Sequence, residues 1–128
     1  MYTFTCRGHD RITALHVNQL SFMKGPIPAP DHTLGVKATF EPDKIQLLMK
    51  GKTTVTVTVT VNDITDSFSA TINHSYRNRD EMHFRTGEFT SDRVLGTKAT
   101  KGAKQLQREL ITALADSETV VTVGLDFS

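Results

Sequence analysis

Cysteine is nearly absent from this sequence, and its scarcity excludes two common ways of stabilising a small protein. The single cysteine, Cys6, cannot form an internal disulfide. The histidines show no Cys/His or His/His spacing on one element, so we predict no metal and no cofactor. A phosphate-binding loop and a dinucleotide fingerprint are also lacking. A reducing cytosol is the simplest compartment for such a chain.

Long apolar runs and an excess of charge are lacking as well. No stretch approaches the roughly eighteen apolar residues of a membrane span, and Met1–Asp10 has neither the basic start nor the apolar run of a secretory signal. We therefore predict a cytoplasmic protein with no membrane partner. Because the net charge is only +1, any attraction for nucleic acid would need a local basic patch.

Length and composition are those of a globular domain. With 128 residues, 38% of them apolar and 23% charged, the chain can bury one core without covalent cross-links. We predict a single domain over residues 1–128.

An internal repeat organises the chain. The run Leu34–Thr39 (LGVKAT) returns as Leu95–Thr100 (LGTKAT), with five of six residues identical. Upstream, Leu20–Phe22 aligns with Met82–Phe84, and each LGxKAT box is followed by a helical pattern and then a valine-rich strand. The offset stays at about sixty residues, which indicates a duplicated unit.

Each half has the predicted order strand, strand, strand, helix, strand. Period-two alternation predicts a long strand over Ile12–Met23 and the clearest strand over Thr54–Val61, with valines inward and threonines outward. Pro42 suits the first turn of a helix that Gly51 can end in the left-handed conformation. Thr100 is the predicted N-cap of the second helix.

The two halves, over about residues 1–62 and 63–128, each leave one apolar face open. Packing these faces together predicts a mainly β fold with two helices (α+β), closed into a pseudo-twofold β-barrel. The element order is similar to that of double-psi and related cradle-type barrels. Gly35 and Gly96, one in each LGxKAT box, are predicted to allow a bulge or a close strand crossing.

Three motifs carry a resemblance to a known family. The opening Arg7–His16 (RGHDRITALH), with Leu34–Ala38 (LGVKA) and Leu95–Lys101 (LGTKATK), resembles a family of small archaeal proteins catalogued as domain of unknown function 371. The resemblance covers nearly the whole chain and implies an archaeal cytosolic protein, but no activity. Family members tend to have proline where this chain has Asp10 and His74, so the two turns differ here.

Histidines near the start of each half are the first candidate site. His9 stands in a turn with Arg7 just before it, which suits acid/base catalysis or anion binding, and the duplication places His74 in the equivalent position. The alternatives are that Arg7 pairs with a carboxylate and that His9 hydrogen-bonds its own turn. His16 is predicted on an otherwise apolar strand face, which is more typical of a hydrogen-bonded core histidine.

Lysines precede both predicted helices. Lys37 and Lys98 occupy equivalent positions of the LGxKAT boxes, and helix N-termini attract anions through free N–H groups and the helix dipole. Lys101 and Lys104 follow only in the second half, so the second helix is the predicted anion site. The alternative is that these lysines lie on a solvated strand edge.

Arginine and an aromatic residue cluster in the second half. The segment Tyr76–Asp80 (YRNRD) is followed by Arg85 and Arg93, and arginine with tyrosine is typical of RNA contacts. The alternative is a polar connection between strands, because Asp80 and Glu81 dilute the positive charge.

Three functions are compatible with these residues. We favour the binding of an anionic ligand (an RNA backbone, a nucleotide or a phosphorylated metabolite) in a groove between the repeats. The second is an enzyme in which His9 or His16 is the catalytic general base. The third is a homodimeric scaffold that pairs through the flat threonine row of residues 54–60. The predicted groove residues are Arg7, His9, His74, Lys98 and Lys101.

Overall fold

Eight strands and two helices make up the regular structure, which confirms the prediction of a mainly β chain with two helices. They belong to a computed structural model that describes residues 1–128. The strands are β1 (Tyr2–Arg7), β2 (Gln19–Met23), β3 (Thr33–Gly35), β4 (Thr54–Val61), β5 (Ile64–Ile72), β6 (Glu81–Arg85), β7 (Val94–Thr97) and β8 (Val120–Phe127). The helices are α1 (Pro42–Met49) and α2 (Arg108–Leu114).

The threonine–valine alternation forms an interior strand of the sheet. β-Branched residues fit extended backbone, and period two puts the four valines of β4 on one face, where all four are fully buried as predicted. Strand β4 pairs antiparallel with β5 on one side and with β8 on the other. The apolar faces of these strands contribute to one core cluster of 31 buried residues.

All eight strands form one sheet in the order β1-β8-β4-β5-β7-β6-β2-β3. Its edge strands, β1 and β3, meet only at an isolated bridge, in which the backbones of Arg7 and Val36 exchange N–H···O bonds of 2.8 Å. Strand β3 has three residues, and the chain turns away at Lys37, whose φ is +53°. No continuous ladder joins the edges, so the prediction of a closed barrel is wrong and the sheet is open. The likeness to double-psi barrels stays a prediction.

The segment before β2 is the largest local difference from the sequence prediction. The long strand predicted over Ile12–Met23 is wrong in its first half, because β2 begins only at Gln19. Ala14 has left-handed backbone with φ +50°, which no extended strand accommodates. The Pro30 carbonyl accepts the Ala14 N–H at 3.0 Å, and the Arg108 guanidinium donates to the Ala14 carbonyl at 3.3 Å. Long-range contacts therefore override the local alternation.

The helices differ in how well their starts were predicted. Pro42 opens α1 and Gly51 follows its end with φ +72°, both as predicted. The predicted N-cap Thr100 is wrong: a short 3₁₀ turn at Ala103–Gln105 comes first, and α2 starts only at Arg108. Neither helix has the length and apolar composition needed to cross a lipid bilayer.

The two LGxKAT boxes form the same turn. The N–H groups of Lys37 and Lys98 donate to the carbonyls of Gly25 and Gly87, each at 3.0 Å. Both lysines have left-handed backbone, with φ of +53° and +51°, which is uncommon for a residue with a side chain. The threonine that ends each box donates its N–H to a carbonyl of β1 or β5, and its hydroxyl oxygen accepts the N–H of that same residue. The boxes therefore serve as turn elements.

Glycine in each box permits a close strand crossing, as predicted. A Cβ added to Gly35 would overlap Sγ of Cys6, and a Cβ added to Gly96 would lie 2.7 Å from Cβ of Ala70. The parallel pairs β2–β3 and β6–β7 each carry a register irregularity beside these glycines. Only a residue without a side chain fits at these two positions.

Candidate functional site

Strands β2 and β6 pair antiparallel and together carry a polar face. Along β6, the polar residues Glu81, His83 and Arg85 alternate with two buried apolar residues, so period two puts the three polar side chains on one side of the sheet. The register places Gln19 opposite Arg85 and Ser21 opposite His83. Five polar side chains from two strands are thereby collected in one place.

A cavity of about 150 Å³ opens at this polar face. Two arginines line it and no carboxylate does. The structure has one other cavity, of about 210 Å³, whose walls are mostly apolar side chains with one lysine and one aspartate. The smaller cavity is therefore the electropositive one. Its lining residues are Gln19, His83, Arg85, Phe89, Ser91, Arg93 and Val94.

Hydrogen bonds determine where His83 carries its proton. Arginine can only donate, so the 3.2 Å bond from Nη1 of Arg85 identifies the oxygen of the Gln19 amide. The Gln19 nitrogen then donates to Nδ1 of His83 at 2.8 Å, which leaves the ring proton on Nε2. That Nε2–H donates to Oε1 of Glu81 at 2.8 Å. The four side chains therefore form one ordered chain, of which Arg85, Gln19 and His83 line the cavity and Glu81 lies behind His83.

The two arginines keep most of their donors unused. Arg85 donates one N–H to the Gln19 oxygen and forms no ion pair with a carboxylate. Its guanidinium lies 4.9 Å from the ring centroid of Phe89, a cation–π contact that orders it at the cavity. Nη1 of Arg93 forms a long ion pair of 3.8 Å with Oε2 of Glu81, a distance that is too great for a hydrogen bond. An anion in the cavity would therefore meet two guanidinium groups with unpaired donors.

Two further histidines, His32 and His16, lie in a row that begins at His83. The ring centroid of His32 lies 5.5 Å from that of His83 and 6.0 Å from that of His16. Nδ1 of His32 is 2.9 Å from Oγ of Ser21, which is fully buried, so this serine–histidine pair is closed to a substrate. The Asn18 N–H donates to Nδ1 of His16 at 3.0 Å. No group of three or more His, Cys, Asp or Glu side chains converges to hold a metal ion.

The environment of His32 favours its neutral form. Its pKa is lowered from 6.5 to about 4, first by burial and then by the charges that His83 and His16 carry when protonated. Arg85 also lowers this pKa, and Asp31 opposes the shift. His32 is therefore neutral at physiological pH and acts as a hydrogen-bonding partner of its neighbours.

We expect the protein to lose stability as the pH falls from 6.5 towards about 4, because unfolded His32 binds a proton in this range and folded His32 does not. With allowance for the partial exposure of the ring, the loss in free energy of unfolding is about 1–2 kcal/mol. Urea unfolding at neutral pH and at the lower end of this range measures it. His32→Gln, which cannot titrate, should reduce the loss, whereas His9→Gln should retain it. An unchanged pH dependence in His32→Gln would contradict this assignment.

His9 and His74 lie at the ends of different helices. The His9 N–H donates to the Leu114 carbonyl of α2 at 2.9 Å, and its Nδ1 accepts the Arg11 N–H at 3.1 Å. Nε2 of His74 is 3.2 Å from the Met49 carbonyl oxygen at the end of α1. Neither histidine lines a cavity. Their contacts are those of turn and helix-end residues.

The lysines of the predicted anion site are also apart from the polar cavity. Lys98 forms an exposed ion pair with Glu88 at 3.1 Å, and the side chain of Lys37 is exposed. Lys101 binds the buried carboxylate of Asp66 at 2.7 Å. Because α2 starts later than predicted, none of these lysines stands in its first turn.

Arg85, a predicted ligand-binding residue, lines the polar cavity, and so does Arg93 of the same arginine cluster. His16 belongs to the row of three histidines, but the ring of His32 lies between it and His83. Arg7 is exposed on β1, where its backbone forms the bridge to Val36. The structure thus brings the two arginines and His16 into one neighbourhood and leaves the other predicted residues elsewhere.

A family model described as "Domain of unknown function (DUF371)" matches residues 4–128. The chain belongs to this family. The match covers nearly the whole of this chain and confirms the family that the sequence motifs indicated. A comparison with curated proteins finds no match.

Gln19, His83 and Phe89 line the polar cavity but were given no role in the sequence analysis. A signal for His83 was present, because polar and apolar residues alternate strictly along Glu81–Arg85 and the polar set includes a histidine between an acid and an arginine. Gln19 had no comparable signal: its role depends on lying opposite Arg85, a residue far along the chain. Phe89 is an exposed aromatic residue in a loop, and only the folded chain places it beside an arginine.

Proposed function

We propose that this protein binds a small anionic ligand, of phosphate or carboxylate type, in the cavity between Arg85 and Arg93. One observation carries the proposal: the cavity is lined by two guanidinium groups and by no carboxylate. Guanidinium groups match the geometry of phosphate and carboxylate oxygens and bind them through paired N–H donors.

The hydrogen-bond chain supports this site by ordering it in advance. Arg85 is held from one side by the Gln19 amide and from another by the Phe89 ring, so little side-chain freedom is lost when a ligand binds. Arg93 is more exposed, and its contact with Glu81 is long. We infer that Arg85 is the preorganised part of the site and that Arg93 adjusts to the ligand.

Size and charge favour a small ligand over a polynucleotide. A cavity of about 150 Å³ accommodates an anion of phosphate size but encloses no large molecule. The net charge of +1 offers no broad basic surface for a nucleic-acid backbone. Among the anions suggested by the sequence, a nucleotide or a phosphorylated metabolite is therefore a better fit than an RNA backbone.

We also infer that the cavity lies at the seam of two duplicated halves. Strands β2 and β6, which hold matched places in the two halves, pair with each other, and so do β4 and β8. The matching turns of the two LGxKAT boxes support the same inference. At the seam the halves differ: His83 stands where the first half has Ser21, and the second half alone supplies both arginines. Divergence at the seam is how a symmetric ancestor would acquire one asymmetric site.

The proposal is tested by calorimetric titration of inorganic phosphate at low ionic strength. We expect Arg93→Gln and Arg85→Gln each to weaken phosphate binding by about tenfold or more, since each removes a charged hydrogen-bond donor set. Arg77→Gln is the matched control, because it removes the same charge from an exposed arginine outside the cavity and should change the affinity less than about twofold. Circular dichroism verifies that the variants fold. Equal weakening by all three, or no binding of phosphate and acetate to the wild type, would contradict the proposal.

A further inference from the structure

Phe89 is an unusual neighbour for an anion site. It is 63% exposed, although it lines the polar cavity, and it stands in the loop between β6 and β7. The Arg85 guanidinium covers part of its ring at 4.9 Å from the centroid, and most of the remaining ring is in solvent. An aromatic face next to an arginine in a cavity wall is a surface on which a flat ring can stack.

The loop that carries Phe89 is fixed at both ends. Before it, the Thr86 N–H donates to the Asn18 carbonyl at 2.9 Å, and the Gly87 carbonyl accepts the Lys98 N–H at 3.0 Å. After it, the Val94 N–H donates to the Ser91 carbonyl at 3.2 Å. These bonds hold the two ends of the loop in the free protein, and the Arg85 contact orients the ring beside the cavity, which lowers the entropy cost of stacking a ligand on it.

We propose that the ligand carries a planar aromatic ring next to its anionic group, as a nucleoside monophosphate does. This inference rests on the proposed function: the phosphate occupies the cavity between Arg85 and Arg93, and the ring stacks on the open part of Phe89. A nucleoside monophosphate is larger than the cavity, so its ring must lie at the mouth, where Phe89 stands. Stacking on an aromatic side chain is tolerant of ring identity, so the site selects a class of rings rather than one base.

The experiment compares four probes by calorimetric titration: inorganic phosphate, ribose 5-phosphate, adenosine 5′-monophosphate and adenosine. We expect adenosine 5′-monophosphate to bind about tenfold more tightly than ribose 5-phosphate, with the difference arising from the stacked ring. In Phe89→Ala this advantage should disappear. Phe89→Tyr, which keeps the ring, should restore it.

Ile27 provides the matched control. It is 71% exposed and stands two residues after Gly25, just as Phe89 stands two residues after Gly87, but it lines neither cavity. Ile27→Ala removes a comparable exposed apolar side chain and should leave the affinities for all four probes unchanged. A similar loss in both variants would show a general effect on the fold and would overturn the role of Phe89.

The outcomes separate this inference from the proposed function. If phosphate binds through Arg93 but adenosine 5′-monophosphate and ribose 5-phosphate bind equally, the ring-stacking inference fails and the anion site stands. If neither the phosphorylated probes nor acetate binds, the proposed function fails as well. A single-stranded oligonucleotide without a terminal phosphate that binds as tightly as adenosine 5′-monophosphate, in a Phe89-dependent way, would point to RNA and overturn the small-ligand class.

Discussion

Replacing Gly8 with alanine is expected to lower the free energy of unfolding by about 2–4 kcal/mol. The new Cβ would overlap the Asp116 carbonyl oxygen and lie 2.5 Å from the Leu114 carbonyl oxygen, so it meets backbone that cannot rotate away. Relief requires a shift of the turn, which strains the bond from the Gly8 N–H to the Thr119 carbonyl. Urea unfolding monitored by circular dichroism measures the loss.

Gly25→Ala is the control for this prediction. Nothing lies within 4 Å of a Cβ built on Gly25, and its backbone is outside the left-handed region. We expect a change within about 0.5 kcal/mol, because an exposed substitution without contacts seldom does more. If Gly8→Ala is no more destabilising than Gly25→Ala, the Arg-Gly-His turn does not depend on its contact with the end of α2.

Removing the carboxylate of Asp66 is the second change with a large expected effect. Asp66 is buried, and its two oxygens accept bonds from Lys101 at 2.7 Å, the Ser67 N–H at 2.8 Å and the Gln107 N–H at 2.9 Å. Asp66→Ala leaves these donors unpaired where water has little access, so we expect the free energy of unfolding, measured in urea, to fall by about 2–3 kcal/mol. Glu88→Ala, which removes the exposed ion pair with Lys98, should cost less than about 0.5 kcal/mol.

The pH dependence of the Asp66 interaction gives a second readout. Burial by itself would raise the pKa of Asp66, but the bonds from Lys101, Gln107 and Ser67 outweigh burial and hold it below 3.8. A depressed carboxylate pKa contributes stability that is complete at neutral pH and is lost as the pH falls below its ordinary value. Asp66→Asn should therefore flatten the acid end of the stability profile. A variant that keeps the wild-type profile would contradict the role of this ion pair.

Sequence patterns predicted the secondary structure correctly where the backbone conformation depends only on neighbouring residues. Alternating threonine and valine produced β4, and Pro42 with Gly51 bounded α1. The failure over residues 12–18 has the opposite cause, because Ala14 takes a left-handed conformation that its own side chain disfavours. The contacts that hold it come from Pro30 and Arg108, which alternation along the chain does not report.

The candidate site was also predicted only in part from the sequence. Arginine and histidine in the second half were visible as residue types, and Arg85 was a predicted ligand-binding residue. The equivalence of His9 and His74 pointed to one shared groove, but each is bound instead to the end of a different helix. Which helix end each histidine contacts is decided by long-range packing, which similar sequence positions do not report.

Composition and periodicity were enough to establish a mainly β chain with two helices and the strands β4 and β8, because these depend on residue types and on backbone geometry over a few residues. The family was indicated by its motifs in the opening and in the two LGxKAT boxes. The open edge between β1 and β3 and the cavity at β2 and β6 depended on strand pairing and register. The bond from Arg85 to Gln19 joins residues 66 positions apart. Separations of that length become contacts only when the sheet assembles, so the tertiary structure alone decided where the polar cavity and the anion site proposed in it lie.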